Sequence, residues 1–349
     1  MRKGVGQVNS LLRKSARMLV LVVLVPVFLL VVEAKVLNIS AWWFELVRYL
    51  PYPFLLIPTL LALTASLVLS WRWRLAAFVG LVLTLTVLMG LTFGFPDSGS
   101  GRVRFMTYNI KAYLAVKDGG YPLLAWEIAT HDPDVLVMQD AGVLTAQRVE
   151  TPGTAQAIFD GRQGYSFGQY VVLSRFPLRD CRHEQIPYRG ENHTYVRCTF
   201  TAHGQDVDLM TAHFKSPRDG LNAARHDRLG GLDNWQINFS DRLTQAAKLA
   251  YEVTQRRRPL IIAGDLNATE SSPVMRLLRE SGLRDTFSEA GRGYGFTHGH
   301  SLRPHMSFLR IDHILISSEL GAVASFAGGK EASAHRPVIA DLLVRRVTN

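Results

Sequence analysis

The chain has 349 residues and a net charge of +10. This length is enough for two domains, or for one large domain with an appendage. Residues 1–99 hold +6 of that charge and residues 101–349 hold the remaining +4. The second part is therefore not marked by its charge as a nucleic-acid-binding domain, which usually needs a clustered basic stripe.

Three apolar segments dominate the first 99 residues. The first runs from Met18 to Val32, and the other two cover about residues 53–70 and 75–95. A helix that crosses a bilayer core needs about 20 apolar residues. We therefore predict an N-terminal membrane anchor in residues 1–99, with three transmembrane helices at about 17–33, 53–70 and 75–95. A cleaved signal peptide is the alternative for the first segment, but Val32-Glu33-Ala34 is a marginal cleavage site.

The charges that flank these segments predict an orientation. Five Lys and Arg residues precede the first segment, and Arg72 and Arg74 lie between the second and the third. Loops rich in Lys and Arg remain in the cytoplasm. The N-terminus is therefore predicted to be cytoplasmic. After three crossings, residues 101–349 would lie outside the cytoplasm, on the periplasmic side of the cell (inner) membrane.

Residues 96–101 (PDSGSG) have the composition of a linker, and short apolar runs then alternate with amphipathic stretches. Helices are predicted at 123–130 and 241–255, the latter from apolar residues at helical spacing. This mixture predicts a single α/β domain in residues 101–349, with β-sheets packed inside helices. The predicted strands are 103–110, 135–139, 170–174, 194–200, 206–212, 260–263, 311–316 and 338–344.

Two cysteines follow different patterns. Cys198 lies on the apolar face of an alternating run, where a small core residue is expected. Outside the cytoplasm it would also be able to form a disulfide with Cys181 from a neighbouring strand. The sequence leaves both interpretations open.

Polar residues follow several of the predicted strands. In the segment from Leu260 to Asn267 (LIIAGDLN), alternate residues of an extended chain would place Asp265 and Asn267 on one side, about 6.5 Å apart. Asn109 and Asp140 end two further strands. Carboxylate and amide oxygens are ligands that suit Mg²⁺. An Asx turn after each strand is the structural alternative.

Two histidines and one further aspartate lie in or beside predicted strands. His213 follows a strand, His335 precedes one, and Asp312 lies inside a third. A carboxylate that accepts a hydrogen bond from one imidazole nitrogen fixes the tautomer and raises the basicity of the other nitrogen. Asp312 and His335 are the predicted pair.

Seven segments in order, TYNI, PDVLVMQD, LSRFPL, TAHFKSP, GDLNA, RIDHIL and SAHRPV, resemble the endonuclease/exonuclease/phosphatase superfamily. That superfamily includes deoxyribonucleases, apurinic endonucleases, neutral sphingomyelinases and inositol polyphosphate 5-phosphatases. The resemblance covers essentially all of residues 101–349 and extends to a membrane-anchored bacterial branch. It implies a four-layer α/β sandwich, in which helices flank two mixed β-sheets, and metal-dependent attack of water on a phosphate ester.

The resemblance also implies roles for individual residues. Asn109, Asp140 and Asp265 would hold a divalent metal, Mg²⁺ or alternatively Mn²⁺, with Asp140 as the principal ligand. Asp265 would orient or deprotonate the water, and Asn267 would contact the phosphoryl group. His335, oriented by Asp312, would bind a phosphate oxygen or transfer a proton, and His213 would stabilise or protonate the leaving oxygen.

Two positions depart from the pattern of the superfamily. Asp140 stands where Glu is usual, which retracts the carboxylate by about 1.5 Å. The usual Ser-Asp-His reads Ser333-Ala334-His335, which removes one carboxylate near the metal. These changes favour a single metal ion that the protein holds weakly.

The segment 291–305 (GRGYGFTHGHSLRPH) is rich in histidine. A separate zinc site at His298, His300 and His305 is one interpretation. The other is a substrate-facing loop, with Phe296 or Arg303 near the organic part of the substrate.

The sequence therefore predicts a membrane-anchored phosphodiesterase that acts outside the cytoplasm on a phospholipid headgroup or a nucleic acid. A phosphomonoesterase of the same fold and a non-catalytic binding domain tethered to the membrane are the alternatives. The predicted partners are the phosphate-ester substrate and the lipid bilayer, and no protein partner is identifiable.

Overall fold

A computed structural model describes residues 2–37, 41–112, 121–142, 144, 152–159, 161–188, 191–227, 229–302 and 305–344. The chain forms two compact units. The first contains Met1–Leu91 with Ser271–Pro273, and the second contains Thr92–Glu270 with Val274–Asn349.

The first unit is helical. Its helices are α1 (Arg2–Val32), α2 (Trp42–Arg48), α3 (Pro53–Ser66) and α4 (Trp71–Leu83), and α1 and α4 continue as π-helical turns. Two stretches are long and apolar enough to cross a membrane, Asn9–Val36 and Trp71–Leu88. The α2–α3 pair is bent by 84° and would make a third span only if the pair counts as one. The described residues thus support two or three spans.

Two features hold these helices in place. A Cβ added at Gly80 of α4 would lie 2.2 Å from Leu24 of α1, so the absence of a side chain at Gly80 permits a close approach of the two helices. In the polar segment after α1, the Arg48 guanidinium pairs with Glu33 and with Glu45, and both carboxylates are buried. The pairing compensates these buried charges.

The second unit contains two six-stranded sheets. The strands of this unit are β1 (Thr92–Phe93), β2 (Arg102–Asn109), β3 (Val135–Gln139), β4 (Gln163–Phe167), β5 (Tyr170–Ser174), β6 (Leu178–Tyr188), β7 (Glu191–Ala202), β8 (Gln205–Ala212), β9 (Leu260–Asp265), β10 (Leu283–Asp285), β11 (Arg292–Gly293), β12 (Asp312–Ser317), β13 (Leu320–Ala327) and β14 (Val338–Val344). The strand order is β13-β14-β2-β3-β5-β4 in the first sheet and β10-β12-β9-β8-β7-β6 in the second. Both sheets are mixed, since β2–β3 and β8–β9 are parallel and the other pairs are antiparallel.

Strand alternation explains how the sheets pack. In β2, Val103 and Phe105 belong to the core between the two sheets, whereas Met106 and Tyr108 pack on the other face. Leu124 and Ile128 of a flanking helix cover that outer face. The predicted arrangement of two mixed sheets flanked by helices is confirmed. The helices of this unit are α5 (Tyr121–His131), α6 (Pro152–Phe159), α7 (Arg218–His226), α8 (Leu229–Thr254), α9 (Pro273–Glu280) and α10 (Thr286–Ala290).

One long-range strand pairing and one disulfide within a hairpin hold the second unit together. The first long strand, β2, pairs with the last strand, β14, through residues such as Phe105 and Ala340. Cys181 of β6 and Cys198 of β7 form a disulfide within one hairpin. Cys198 is also buried in the core between the sheets, so both interpretations of this residue apply to it.

Candidate active site

The predicted site residues lie at the ends of strands that face the core between the sheets. On β2, β8 and β9, every second side chain faces the core between the sheets, and most of these side chains are apolar. Asn109, Thr211 and Asp265 continue the inward-facing series at the end of the three strands. Gln139 of β3 links the two sheets, since its Nε2 donates to Thr107 Oγ1 of β2 at 3.1 Å and to Thr211 Oγ1 of β8 at 3.0 Å. Polar side chains from both sheets therefore meet where the apolar core ends.

Asp265 lies at the centre of this cluster. Its Oδ2 accepts a hydrogen bond from Asn109 Nδ2 at 2.8 Å, and the side chains of both residues are buried. The Nε2 atoms of His213 and His335 lie 3.4 and 3.7 Å from the same oxygen. A single carboxylate oxygen is therefore surrounded by an amide and two imidazoles.

Asn267 is next to Asp265, but for a different reason from the predicted one. The strand ends at Asp265, and Asn267 has a positive φ of 46°, so the two side chains do not alternate along an extended chain. The backbone N–H of Asn267 donates to Asp265 Oδ1 at 3.0 Å. This hydrogen bond forms an Asx turn, which was the alternative interpretation of this segment. Asn267 Nδ2 also donates to the Phe214 carbonyl at 2.9 Å.

His213 is held by three neighbours. Its backbone N–H donates to the Tyr170 hydroxyl at 2.9 Å, and its Nδ1 lies 2.6 Å from Gln169 Oε1. Nδ1 also lies 3.6 Å from Asp140 Oδ1. Since both ring nitrogens face oxygen atoms, the ring is placed to donate a proton. Gln169 precedes β5 and Tyr170 begins it. Neither belongs to a motif, so no sequence signal marked them as site residues.

Asp312 and His335 form the predicted pair. His335 Nδ1 lies 2.9 Å from Asp312 Oδ2, and both side chains are buried. Burial raises the pKa of Asp312 to about 6 and lowers the pKa of His335 to about 4. At neutral pH the carboxylate is therefore ionised and the imidazole is neutral. The Nδ1 proton is donated to Asp312, which leaves Nε2 as a proton acceptor.

Asp140 contacts a residue that the sequence patterns did not single out. The Lys111 ammonium pairs with Asp140 Oδ2. Burial opposes ionisation of Asp140, but the nearby charges of His213 and Lys111 outweigh burial and hold the pKa of Asp140 below its usual value. Lys111 follows the TYNI segment by one residue, and its position there was the available signal.

The histidine-rich segment contacts the loop before β14. His298 Nδ1 lies 3.1 Å from the Ala334 carbonyl, and His300 Nε2 lies 2.9 Å from the Ser333 carbonyl. The His298 ring lies 4.5 Å from the His335 ring. Among the described residues, His298, His300 and His305 do not form a metal-binding group. Arg303 lies outside the described residues.

The donor atoms of the site suit a divalent cation. One carboxylate oxygen each from Asp265 and Asp312 and one ring nitrogen of His335 lie within 4.8 Å of one another. Asn109 and Asp140 lie beside this group on the side of the first sheet: Asn109 Oδ1 accepts a hydrogen bond from the Lys111 N–H, and Asp140 Oδ1 lies 3.6 Å from His213 Nδ1. Carboxylate oxygens with imidazole nitrogen bind Mg²⁺, Mn²⁺ or Zn²⁺, so Asp265, Asp312 and His335 fit a divalent ion.

A second acidic cluster, of Glu270, Asp285 and His313, has the spacing of a metal site. Here the Arg310 guanidinium already binds both carboxylates, with Nη1 2.9 Å from each oxygen of Asp285. His313 Nε2 lies 2.8 Å from the Ala268 carbonyl. This cluster is a buried ion network next to the loop that carries Asn267.

Comparisons with known proteins agree with this geometry. The profile of the endonuclease/exonuclease/phosphatase family matches residues 106–335. A family structure from Bacteroides vulgatus is similar with a TM-score of 0.55 at 16% identity, over 70% of this chain and 100% of that one. No curated protein is significantly similar in sequence.

Two further structures share the fold. The Bacteroides thetaiotaomicron mannosyl-6-phosphatase Bt3783 has a TM-score of 0.51 at 15% identity, over 69% of this chain and 99% of that one. Truncated TDP2 of Caenorhabditis elegans has a TM-score of 0.51 at 17% identity, over 69% and 97%. The ordered motifs, the fold and the profile lead to one conclusion: the chain belongs to the endonuclease/exonuclease/phosphatase family, whose members are phosphoesterase hydrolases.

Proposed function

We propose that this chain is a membrane-anchored, divalent-metal-dependent phosphodiesterase whose catalytic unit acts outside the cytoplasm. The observation that carries the proposal is the convergence of His213 Nε2, His335 Nε2 and Asn109 Nδ2 on one oxygen of Asp265. A carboxylate flanked by a proton donor and a proton acceptor is the arrangement that hydrolysis of a phosphate ester needs.

The proposed roles of the residues follow from the hydrogen-bond partners that surround them. Asp265 and the acceptor Nε2 of His335 orient and deprotonate the attacking water, and Asp312 keeps the His335 ring in the required tautomer. His213, whose nitrogens both face oxygens, donates a proton to the leaving oxygen. Asn267 contacts the phosphoryl group. Positioned acid–base groups of this kind typically contribute about 10²–10⁴-fold to the rate.

Asn109, Asp140 and Asp265 would hold the metal, with Mg²⁺ as the proposed ion and Mn²⁺ as the alternative. When bound, such an ion supplies Lewis-acid stabilisation of the charge that develops on the phosphoryl oxygens. The set of ligands supports one ion, because Ala334 offers no carboxylate.

The proposed substrate is a phospholipid headgroup, with nucleic acid as the second phosphodiester. A tether of two or three spans keeps the enzyme at a bilayer and raises the local concentration of lipid. A phosphomonoester is a specific alternative, since one structure with the same fold is a mannosyl-6-phosphatase.

Two observations support a location outside the cytoplasm. Lys and Arg cluster in residues 2–17, in the first half of α1 before its apolar stretch, and at the start of α4. The Cys181–Cys198 disulfide fits an oxidising compartment such as the periplasm.

The test uses the full-length chain in detergent micelles with Mg²⁺ or Mn²⁺. Bis(p-nitrophenyl) phosphate, sphingomyelin, phosphatidylinositol, plasmid DNA and p-nitrophenyl phosphate are the substrates. We expect phosphodiester hydrolysis that Asp265→Ala and His335→Ala each reduce by at least about 100-fold. His226→Ala, at an exposed position on α7, is the matched control. Full activity in both site variants would contradict the catalytic assignment, and binding of substrate without turnover would favour a binding domain.

A further inference from the structure

Lys111 is a cation in the site to which the proposed mechanism assigns no role. Its ammonium pairs with Asp140, and the exposed fractions of the two side chains are only 16% and 22%. Its backbone N–H also donates to Asn109 Oδ1 at 3.3 Å. One residue therefore engages two of the three proposed metal ligands, through the oxygens that a cation would use.

The backbone that places Lys111 is strained. Lys111 has φ +44° and Asp140 has φ +50°, both in the left-handed region. Asp adopts this region more readily than residues with longer side chains, so the strain is greater at Lys111. The two turns are tied together, since Ile110 N donates to the Gln139 carbonyl and Ala112 N donates to the Asp140 carbonyl. A strained residue held by its surroundings at a site is a common sign of function.

The Lys111–Asp140 pair changes the net charge of the site. Asp140, Asp265 and Asp312 supply three carboxylates, and Ala334 supplies none. Lys111 cancels one of these charges, and no other Lys or Arg among the described residues pairs with Asp140 or Asp265. An ammonium and a divalent cation at one carboxylate repel each other strongly in a partly buried site.

We propose that Lys111 is a built-in competitor of the divalent cation at Asp140. Without metal, its ammonium neutralises Asp140, and the ion must displace it in order to bind. This inference rests on the proposed metal-dependent function. It sets the metal affinity below the value that the carboxylates alone would give.

The experiment titrates the full-length chain in detergent with Mn²⁺ and measures free aqueous Mn²⁺ by electron paramagnetic resonance. Lys111→Met removes the charge and keeps most of the stem. Lys111→Asn removes the charge and suits the left-handed backbone, so this variant is expected to fold. We expect both to bind Mn²⁺ at least about fivefold more tightly than the wild type, the lower end of common couplings between ligands. Lys111→Arg keeps the charge and is expected to bind like the wild type.

A matched control is Lys248→Met on α8, which breaks the Lys248–Glu252 pair without touching the site. A second measurement is the thermal midpoint. In EDTA Lys111→Met should have a lower midpoint than the wild type, because Asp140 loses its partner, whereas in Lys111→Asn the relief of backbone strain offsets this loss. Added Mn²⁺ should raise their midpoint by more than it raises that of the wild type.

The outcomes separate this inference from the proposed function. Equal or weaker Mn²⁺ binding by both neutral variants overturns the competitor role. If the wild type binds Mn²⁺ and Asp265→Ala abolishes that binding, the metal-dependent function still stands. If neither the wild type nor any variant binds Mn²⁺, both proposals fail.

Discussion

The two imidazoles beside Asp265 have different chemical surroundings, which gives the site a direction for proton transfer. His335 is buried against Asp312 and is neutral, whereas both nitrogens of His213 face oxygens of Gln169, Asp140 and Asp265. The acceptor and the donor therefore lie beside the same oxygen of one carboxylate. This asymmetry leads to a pH-dependent expectation.

Because burial raises the pKa of Asp312 to about 6, this carboxylate becomes protonated as the pH falls through 6. His335 stays neutral in that range, since its pKa lies at about 4. We expect kcat/KM to fall about tenfold per pH unit below about pH 6 and to be flat just above it. In Asp312→Asn this acidic limb should disappear, and the plateau should fall by at least about 100-fold. An unchanged acidic limb in Asp312→Asn would rule out this assignment, and Asp341→Asn on β14 is the control.

The sequence predicted which of these residues come together but not their local geometry, and their catalytic and metal-binding roles stay predictions. Asn109, Asp140, His213, Asp265, Asn267, Asp312 and His335 lie in one connected cluster near the ends of strands. The spacing of Asp265 and Asn267 was wrong, because an Asx turn ends the strand. Lys111 and Gln169 were missed, because only the fold brings them to Asp140 and His213.

At the scale of elements, helix α8 holds the two loops that carry His213 and Asn267. Four buried polar residues, Asn238, Asp241, Arg242 and Gln245, form a stripe at helical spacing. The Asp241 carboxylate and the Gln245 amide oxygen bind Lys215, two residues after His213. Arg242 donates to the Asn267 carbonyl at 2.9 Å and lies over the Trp235 ring.

Arg242→Met keeps much of the apolar contact and removes the hydrogen bonds. We expect the free energy of unfolding to fall by about 1–3 kcal/mol, because the Asn267 carbonyl loses a buried donor. We also expect kcat to fall more than KM changes, since Asn267 shifts at the phosphoryl group. Urea unfolding and steady-state kinetics measure both effects, with Thr244→Ala on the exposed face as the control. A loss of stability with unchanged kcat would leave Arg242 a purely structural residue.

The β6–β7 hairpin carries the Cys181–Cys198 disulfide, whose cysteines are 17 positions apart in the sequence. Closure of a loop of this size is worth about 3 kcal/mol in the chain-entropy model. We expect dithiothreitol to lower the thermal midpoint of the wild type and to leave that of the Cys181→Ala/Cys198→Ala variant unchanged. The two midpoints should coincide in the reduced state. A reductant-insensitive wild type would show that the cysteines are not paired.

Elements were predicted well where their pattern is local. All eight predicted strands overlap observed strands, and both predicted helices overlap observed helices. Strands β4 and β6 were missed because exposed or polar residues dominate them, and β13 because it consists largely of small residues that show no alternation. Strands β1, β10 and β11 were missed because they have only two or three residues each. Helix α8 begins at Leu229 and not at residue 241, because its buried polar stripe hides the apolar face in the sequence.

For the whole molecule, the number of spans decides the compartment of the second unit. Three crossings place it opposite the N-terminus, and two crossings place it on the same side. The sequence predicted three spans from length and hydropathy. The structure supports the second span only if α2 and α3 count as one, because an 84° bend separates them. Hydropathy does not encode such a bend.

Reporter fusions that are active only outside the cytoplasm distinguish these topologies. Three spans predict activity after Leu50 and after Asn349 and no activity after Arg74. Two spans, with α2–α3 returning to the outer face, predict activity after Leu50 and after Arg74 and none after Asn349. The second pattern would overturn the proposed location outside the cytoplasm.

The pairing of β2 with β14 has a consequence for the time at which activity first appears. Asn109 ends the first strand of this sheet, and His335 lies just before the last. A ribosome must therefore synthesise the chain at least as far as His335 before the two side chains can meet. A nascent chain that ends before His335 has no complete site, so the proposed hydrolysis cannot begin before that residue is made.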